Sequence, residues 1–285
     1  MLAPPSSMLP SMNVAIDEWG ETHVGAAVQA RRADRDRATS RPTTVLHDVS
    51  RGRGRVTCPL CTQQDVCLAA GLDADTMSQI DKLVTVRNRL QKGETLFHVG
   101  EHFTSLYAIR SGSCKTVSLS EDGHDQVSGY HMPGEIIGTD GIGTDRHGCQ
   151  AVALEDTEIC ALPFDRIETL GRQNTGFQHN FHRLLSREIS RERVLMMLLG
   201  TMHADQRLAT FLLDLSQRYE ARGYSASEFV LRMTREEIGS YLGLKLETVS
   251  RLFSRFQREG LVQVQGRVVK LLDRPSLKRL VACSD

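Results

Sequence analysis

The sequence predicts an α+β chain in which an antiparallel β-roll or jelly roll precedes a long helix and a C-terminal winged helix-turn-helix. Three observations predict this fold class. Short apolar runs separated by glycine-containing turns fill residues 94–163. A stretch with an apolar repeat of period 3.5 follows them. The C-terminal part then combines two short amphipathic helices with a hairpin.

Composition sets the limits of this fold. The chain has 285 residues, of which 40% are hydrophobic and 25% charged, enough for about two domains. Lys and Arg (35) balance Asp and Glu (35), but residues 58–200 are net acidic and residues 201–285 net basic, which predicts a nucleic-acid module at the C-terminus. With no apolar run of ~20 residues and no secretory-signal pattern, we expect no membrane association and a cytoplasmic location.

The β-roll rests on five apolar runs whose spacing of about 8–12 residues is typical of a small antiparallel barrel. Glycine-containing turns such as Lys92-Gly93 and Pro133-Gly134 separate them. The runs are Thr95–Val99, Leu106–Ile109, Lys115–Leu119, Gln126–His131 and Glu158–Leu162.

The long helix shows a seam whose positions are alternately four and three residues apart, from Gln178 to Leu199. This spacing pairs helices, and it favours a dimer helix over one that only covers its own barrel. The predicted interface residues are Leu185, Ile189, Glu192 and Met196. Glu192 places a carboxylate in this seam, where it would meet its own copy and oppose association.

The helix-turn-helix begins with a capping box, in which the Thr234 hydroxyl and the Glu237 carboxylate cap one helix. Gly243 allows a sharp turn, and a second helix is predicted from about 246 to 257. Two short apolar runs around residues 265–267 then form a hairpin, which serves as the wing.

The second helix carries side chains suited to reading double-stranded DNA. Glu247, Ser250 and Arg251 share one exposed face, and Arg255 extends it by one turn. Arginine can donate a bidentate pair to guanine, and glutamate can accept from cytosine. The alternative is a solvated face on which Glu247 and Arg251 pair with each other.

A cysteine constellation precedes the barrel, with Cys58, Cys61 and Cys67 within ten residues. Thiolates at such spacing converge on one ion or cluster, because a short loop wraps it at little entropic cost. Structural zinc would need a further ligand nearby, and none follows closely. An iron–sulfur cluster would need a fourth thiolate from the barrel. The candidates, between which spacing does not decide, are Cys114, Cys149 and Cys160.

These features divide the chain into four predicted parts. Residues 1–55, rich in Pro, Ser, Arg and Ala, form a disordered N-terminal extension. The others are a cysteine loop plus β-roll sensory domain (56–164), a dimerisation helix (165–200) and a winged helix-turn-helix DNA-binding domain (201–285).

The stretch GSYLGLKLETVSRL at 239–252 resembles the helix-turn-helix of the cyclic-AMP receptor protein superfamily. Its Glu-x-x-Ser-Arg pattern is that of the branch named for fumarate and nitrate reduction (FNR). The resemblance covers about residues 55–275 and includes LYAIRSG at 106–112 and QKGETLF at 91–97. It implies that the Glu, Ser and Arg of this pattern read a TTGAT half-site. Lys245 departs from the family, which usually has a small hydroxyl residue there.

The resemblance also implies a cofactor and partners. In FNR proteins the fourth cysteine precedes an apolar-Pro-Phe stretch, which Cys160-Ala-Leu-Pro-Phe164 matches. A [4Fe–4S] cluster on Cys58, Cys61, Cys67 and Cys160 would then stabilise a homodimer on a near-palindromic site without oxygen, and oxygen would disassemble it. RNA polymerase is a further implied partner, through a hairpin tip at 121–124 where His124 replaces the usual acid.

Two alternatives stay open. A regulator of the same superfamily could respond to a cyclic nucleotide or to zinc or thiol redox; Gly134-Glu135 fits a nucleotide clamp, but Arg146-His147-Gly148 lacks the Arg–hydroxyl pair. A thiol-redox enzyme is the second alternative, and it is disfavoured because the sequence offers no nucleophile–base arrangement. We therefore expect a protein that is not an enzyme.

Overall fold

The computed structural model describes residues 57–84, 86–119 and 125–282, with only the backbone at 86 and 87. The predicted N-terminal extension (1–55) and the predicted polymerase-contacting tip (121–124) lie outside the described residues.

The barrel consists of two antiparallel four-stranded sheets, ordered β1-β8-β3-β6 and β2-β7-β4-β5, which confirms the predicted β-roll. In the register, Cys160 on β8 lies opposite Ala108 on β3. The strands are β1 (Val86–Leu90), β2 (Thr95–Phe97), β3 (Ser105–Ser111), β4 (Cys114–Leu119), β5 (Asp125–His131), β6 (Ile136–Ile137), β7 (Gln150–Ala153) and β8 (Thr157–Pro163).

Two apolar clusters hold the barrel together. One lies between the sheets and includes Phe97, Cys114 and Ile159. The other covers the outer face of the β1-β8-β3-β6 sheet, where Leu106 and Leu162 pack against neighbouring helices and the cysteine loop. Strands β3 and β8 therefore have apolar packing on both faces.

Three helices flank the barrel: α1 (Ala74–Leu83), α2 (Phe164–Gln173) and α3 (Thr175–Thr201). The segment 165–200, expected as one helix, thus contains two. The break is at Asn174, whose extended backbone ends α2 and whose side chain accepts a hydrogen bond from the Phe177 N–H at 2.9 Å. An asparagine N-cap of this kind starts a new helix.

Helix α3 has one face on the protein and another that is exposed. Phe177 and Leu198 are buried. On the exposed part, large apolar side chains face solvent in the single chain, with exposed fractions of 49% for Ile189 and 71% for Met196. An exposed apolar stripe of this size is typical of a protein–protein contact surface.

The C-terminal part forms the predicted winged helix-turn-helix around one core that includes Leu208, Leu212 and Phe256. Its elements are α4 (Ala204–Glu220), β9 (Glu228–Val230), α5 (Arg235–Leu242), α6 (Leu246–Arg258), β10 (Val262–Gln265), β11 (Val268–Leu271) and α7 (Arg274–Ala282). Both bonds of the capping box that starts α5 are present, and Gly243 has the left-handed φ of 63° that the turn requires. None of the helices in the described residues is long and apolar enough to cross a membrane.

Candidate cysteine centre and nucleic-acid interface

The loop that carries the first three cysteines is folded by its own backbone. A short 3₁₀ turn at Cys58–Leu60 starts it, and the Cys67 N–H donates to the Gln63 carbonyl at 3.0 Å. The Cys58 N–H donates to Asp81 Oδ1 on α1 at 2.9 Å. The loop is thereby anchored to the helix that follows it.

One small cavity is lined by Cys58, Cys61, Cys67 and Cys160 together. Its other lining is mostly apolar, and includes Leu68, Ile80 and Leu162. Of the three barrel cysteines that spacing left open, the fold brings Cys160 to the loop. Cys114 and Cys149 are buried in the core between the sheets.

Burial disfavours the thiolate form at this site. It raises the pKa of Cys58 to about 12, with further contributions from Asp81 and the neighbouring cysteines, and raises that of Cys67 to about 11. A bound cation would reverse this preference, since metal ligation requires thiolates. Within the part of the chain that the structure describes, no group of three or more His, Cys, Asp or Glu side chains is positioned to hold a metal ion.

The remaining barrel cysteines behave as packed thiols. Burial raises the pKa of Cys114 to about 12. It also raises the pKa of Cys149, whose thiol donates to Asp140 Oδ2 at 3.4 Å. Neutral buried thiols of this kind are inert.

On α6 the predicted reading residues Glu247, Ser250 and Arg251 are all exposed. The opposite face of α6, which includes Val249 and Phe256, is buried, so the helix presents these three side chains outward. Such a face can enter a major groove.

Arg255 differs from the expectation that it extends the reading face. Its guanidinium pairs with Glu259 at 2.8 Å and with Asp205 of α4 at 3.1 Å, which ties α6 to α4. At the start of α6, Lys245 makes no side-chain capping bond. The exposed start of this helix therefore lacks the side-chain cap that a hydroxyl residue would supply.

Comparison with known proteins shows the family. Residues 206–280 match the Crp-like helix-turn-helix domain, and residues 87–174 match the cyclic nucleotide-binding domain. The chain is 48% identical over 224 residues to the transcriptional regulatory protein btr of Bordetella pertussis, covering 79% of this chain and 93% of that protein. It belongs to the Crp/FNR family of transcription regulators.

Two further relatives agree. The fumarate and nitrate reduction regulatory protein of Escherichia coli is 36% identical over 236 residues, covering 83% of this chain and 94% of that one. The structure of FixK2 from Bradyrhizobium japonicum superposes with a TM-score of 0.65 at 28% identity, covering 70% and 98% of the two chains. Membership in the Crp/FNR family indicates that the chain binds DNA and dimerises, and that it is not an enzyme.

The ion pairs of Glu135 in this Crp/FNR protein were not predicted from the sequence. Its carboxylate is buried and contacts Arg222 at 2.6 Å, Arg218 at 2.7 Å and Arg191 at 3.0 Å. Burial alone would raise the pKa of Glu135, but the three guanidinium groups hold it at about 2. Gly134-Glu135, the element expected of a nucleotide clamp, therefore has its carboxylate already engaged by the chain itself.

Proposed function

We propose that this Crp/FNR-family chain is an oxygen-responsive DNA-binding regulator that holds a [4Fe–4S] cluster on Cys58, Cys61, Cys67 and Cys160. The observation that carries the proposal is the cavity that these four cysteines line together. Two of the relatives are named anaerobic regulatory protein, which supports a role in anaerobic regulation.

The chemistry of the cavity suits the cofactor. Four thiols are the donor set of a [4Fe–4S] cluster, and soft thiolate ligands favour iron–sulfur or zinc over hard cations. The mostly apolar lining limits access of water to the site. The cluster, when bound, supplies the oxygen-labile group.

The chain's own contacts would carry the loop's position to the dimer helix. Asn180 of α3 donates to the carbonyl of Ala70, three residues beyond the last loop cysteine, at 2.6 Å. Phe177 of the same helix packs in one cluster with Leu68 and Ala69. A shift of the loop would therefore also move the start of α3.

The dimer would form along the exposed seam of α3. We assign Leu185, Ile189, Glu192 and Met196 to this interface, since Ile189 and Met196 are exposed apolar side chains in the single chain. Glu192, also exposed, would keep association near balance, because like charges oppose it. A small change in α3 could then shift the dimer equilibrium.

In the dimer, two copies of α6 would enter successive major grooves about one DNA turn apart. Glu247, Ser250 and Arg251 would read each TTGAT-type half-site. RNA polymerase is the further partner that such a regulator would contact.

The test is purification without oxygen, with assay of iron and acid-labile sulfide and a visible spectrum before and after air. The intact chain should carry about four irons and four sulfides and a brown absorbance that air changes. Cys160→Ala should lose most of this iron. The matched control is Cys114→Ala, which removes a buried barrel thiol outside the cavity and should keep the iron.

Other outcomes would contradict the proposal. One zinc and no sulfide would leave a DNA-binding regulator without this cluster. Equal iron loss in Cys160→Ala and Cys114→Ala would mean that any disturbance of the barrel releases the metal, and the assignment of Cys160 as a ligand would be wrong.

A further inference from the structure

Glu135 lies where three parts of the molecule meet. It occupies the turn between β5 and β6 of the barrel, and its carboxylate contacts Arg191 on α3 and both Arg218 and Arg222 on α4. One buried side chain thus joins the barrel, the proposed dimer helix and the first helix of the DNA-binding lobe (residues 204–282).

Two of these arginines also bind backbone carbonyls, one in β5 and one in the turn that follows it. Arg218 donates to the carbonyl of Tyr130 and Arg222 to that of Pro133, each at 2.6 Å. Their side chains are only 11% and 4% exposed. Arg218 also pairs with Asp214, and Arg191 with Glu188. Among the described residues, loss of the Glu135 carboxylate would therefore leave the buried Arg222 guanidinium without a carboxylate partner.

Other contacts hold the same relative orientation. Lys115 of β4 pairs with Glu237 of α5 at 2.6 Å, and the Val127 N–H of β5 donates to Ser240 Oγ at 2.8 Å. The β4–β5 hairpin therefore supports the first helix of the helix-turn-helix. The reading face of α6, by contrast, is exposed.

We propose that Glu135 is a positioning residue that sets the orientation of the DNA-binding lobe relative to α3. In a two-fold dimer joined along α3, this orientation sets the distance between the two recognition helices. That distance must match half-sites about 34–36 Å apart. The inference rests on the DNA-binding dimer of the proposed function, but not on its cluster.

The turn that carries Glu135 also contacts the cysteine loop. Gly134 has a left-handed φ of 87°, and a Cβ there would lie 2.3 Å from Cγ2 of Val66. Val66, the loop residue next to Cys67, thus packs directly on Gly134, the residue next to Glu135. Movement of the loop would act on the contact that orients the lobe.

The experiment measures DNA affinity of the full chain, without oxygen, on palindromes whose half-sites are separated by different numbers of base pairs. The wild-type chain should favour one separation by about tenfold or more, comparable to one mismatched position. In Glu135→Gln this preference should fall to about threefold or less, with an unchanged sedimentation coefficient. Glu135→Asp, which keeps the charge, should restore part of it.

A second variant guards against simple unfolding. Glu135→Gln/Arg222→Met removes one negative and one positive charge, so the group formed by Glu135 and its three arginines keeps its net charge. This double variant should show the same weakened spacing preference as Glu135→Gln. The control is Glu168→Gln, which breaks an exposed pair with Arg172 on α2 and should behave as wild type.

Two results would overturn the inference. One is a uniform loss of affinity in the Glu135 variants with the wild-type spacing preference retained, which marks a purely structural role. The other is a wild-type chain that binds palindromes without any spacing preference. In both cases the iron and sulfide assay would still decide the proposed cluster separately.

Discussion

The recognition helix and the cysteine centre are positioned by different means. The features that position α6 lie close to it in the sequence. They are the Thr234 cap, the Gly243 turn and the close approach of Gly239 to Leu244. At the cysteine centre, three thiols share one loop, but Cys160 reaches them only through the pairing of β8 with β3 and β1. A local substitution should therefore disturb the first region without reaching the second.

The largest effect that separates the two regions is expected from Gly239→Ala. A Cβ at this position would lie 2.6 Å from the Leu244 carbonyl oxygen, which is backbone and has little freedom to move. We expect a loss of about 1–3 kcal/mol in unfolding free energy and weaker DNA binding, with the iron content of the anaerobic protein unchanged. Urea unfolding measures the unfolding free energy, and the iron assay measures the iron content.

Gly171→Ala is the matched control, since nothing lies within 4 Å of a Cβ at that position of α2. It should raise the unfolding free energy by about 0.5–1 kcal/mol. If Gly239→Ala lowered the iron content as strongly as the stability, the two regions would not be independent, and the comparison would fail.

A second test uses pH, because His131 is buried in the barrel near the junction with the lobe. Burial is the main cause that lowers its pKa from 6.5 to about 4. Arg218 and Arg191 lower the pKa further, while Glu135 and Asp140 act in the opposite direction. The unfolded chain takes up a proton near pH 6.5 and the folded chain does so only near pH 4, so stability falls as the pH drops through this window. The loss due to His131 should be about 3 kcal/mol.

His131→Gln removes this titration, so its stability should depend less steeply on pH between 6.5 and 4 than that of the wild type. The measurement is urea unfolding at several pH values in this window. His98→Gln, at an exposed position, should keep the wild-type slope. Equal slopes for the wild type and His131→Gln would show that this histidine is not held neutral in the folded chain.

The difference between the two regions also explains what the sequence could predict. The capping box, the turn and the apolar faces of α5 and α6 are local patterns, and the structure has them. Cys160 could be chosen from three barrel cysteines only through a family resemblance, because spacing carries no information on strand register. Once the strands are paired, Cys160 lines one cavity with the three loop cysteines.

Glu135 escaped sequence reasoning for a related reason. Its three arginine partners lie 56 to 87 residues away in the chain, and no periodic pattern joins them. As a Gly-Glu pair it fitted a nucleotide clamp instead. Burial is the signal that would have revealed it, since a buried carboxylate requires partners. The break of the long helix at Asn174 was not predicted, although asparagine is favoured at N-caps and is neutral to unfavourable in a helix interior.

The smallest expected effect comes from the cap itself. Thr234→Ala removes the hydroxyl that accepts from the Glu237 N–H and should lower the unfolding free energy by about 1 kcal/mol. Thr169→Ala, which removes an exposed hydroxyl bonded to the Asp165 carbonyl, should stay within about 0.5 kcal/mol of wild type. Urea unfolding compares the two.

Thr234→Ala also tests whether the helix cap is coupled to the contact between α5 and the barrel. Glu237 accepts from the Thr234 N–H with one oxygen and from Lys115 with the other. If the cap acts only locally, the cost of Thr234→Ala should be the same in a Lys115→Met background. A cost that falls by half or more there would mean that cap and barrel contact are coupled. The recognition lobe would then depend on the barrel for its start as well as for its orientation.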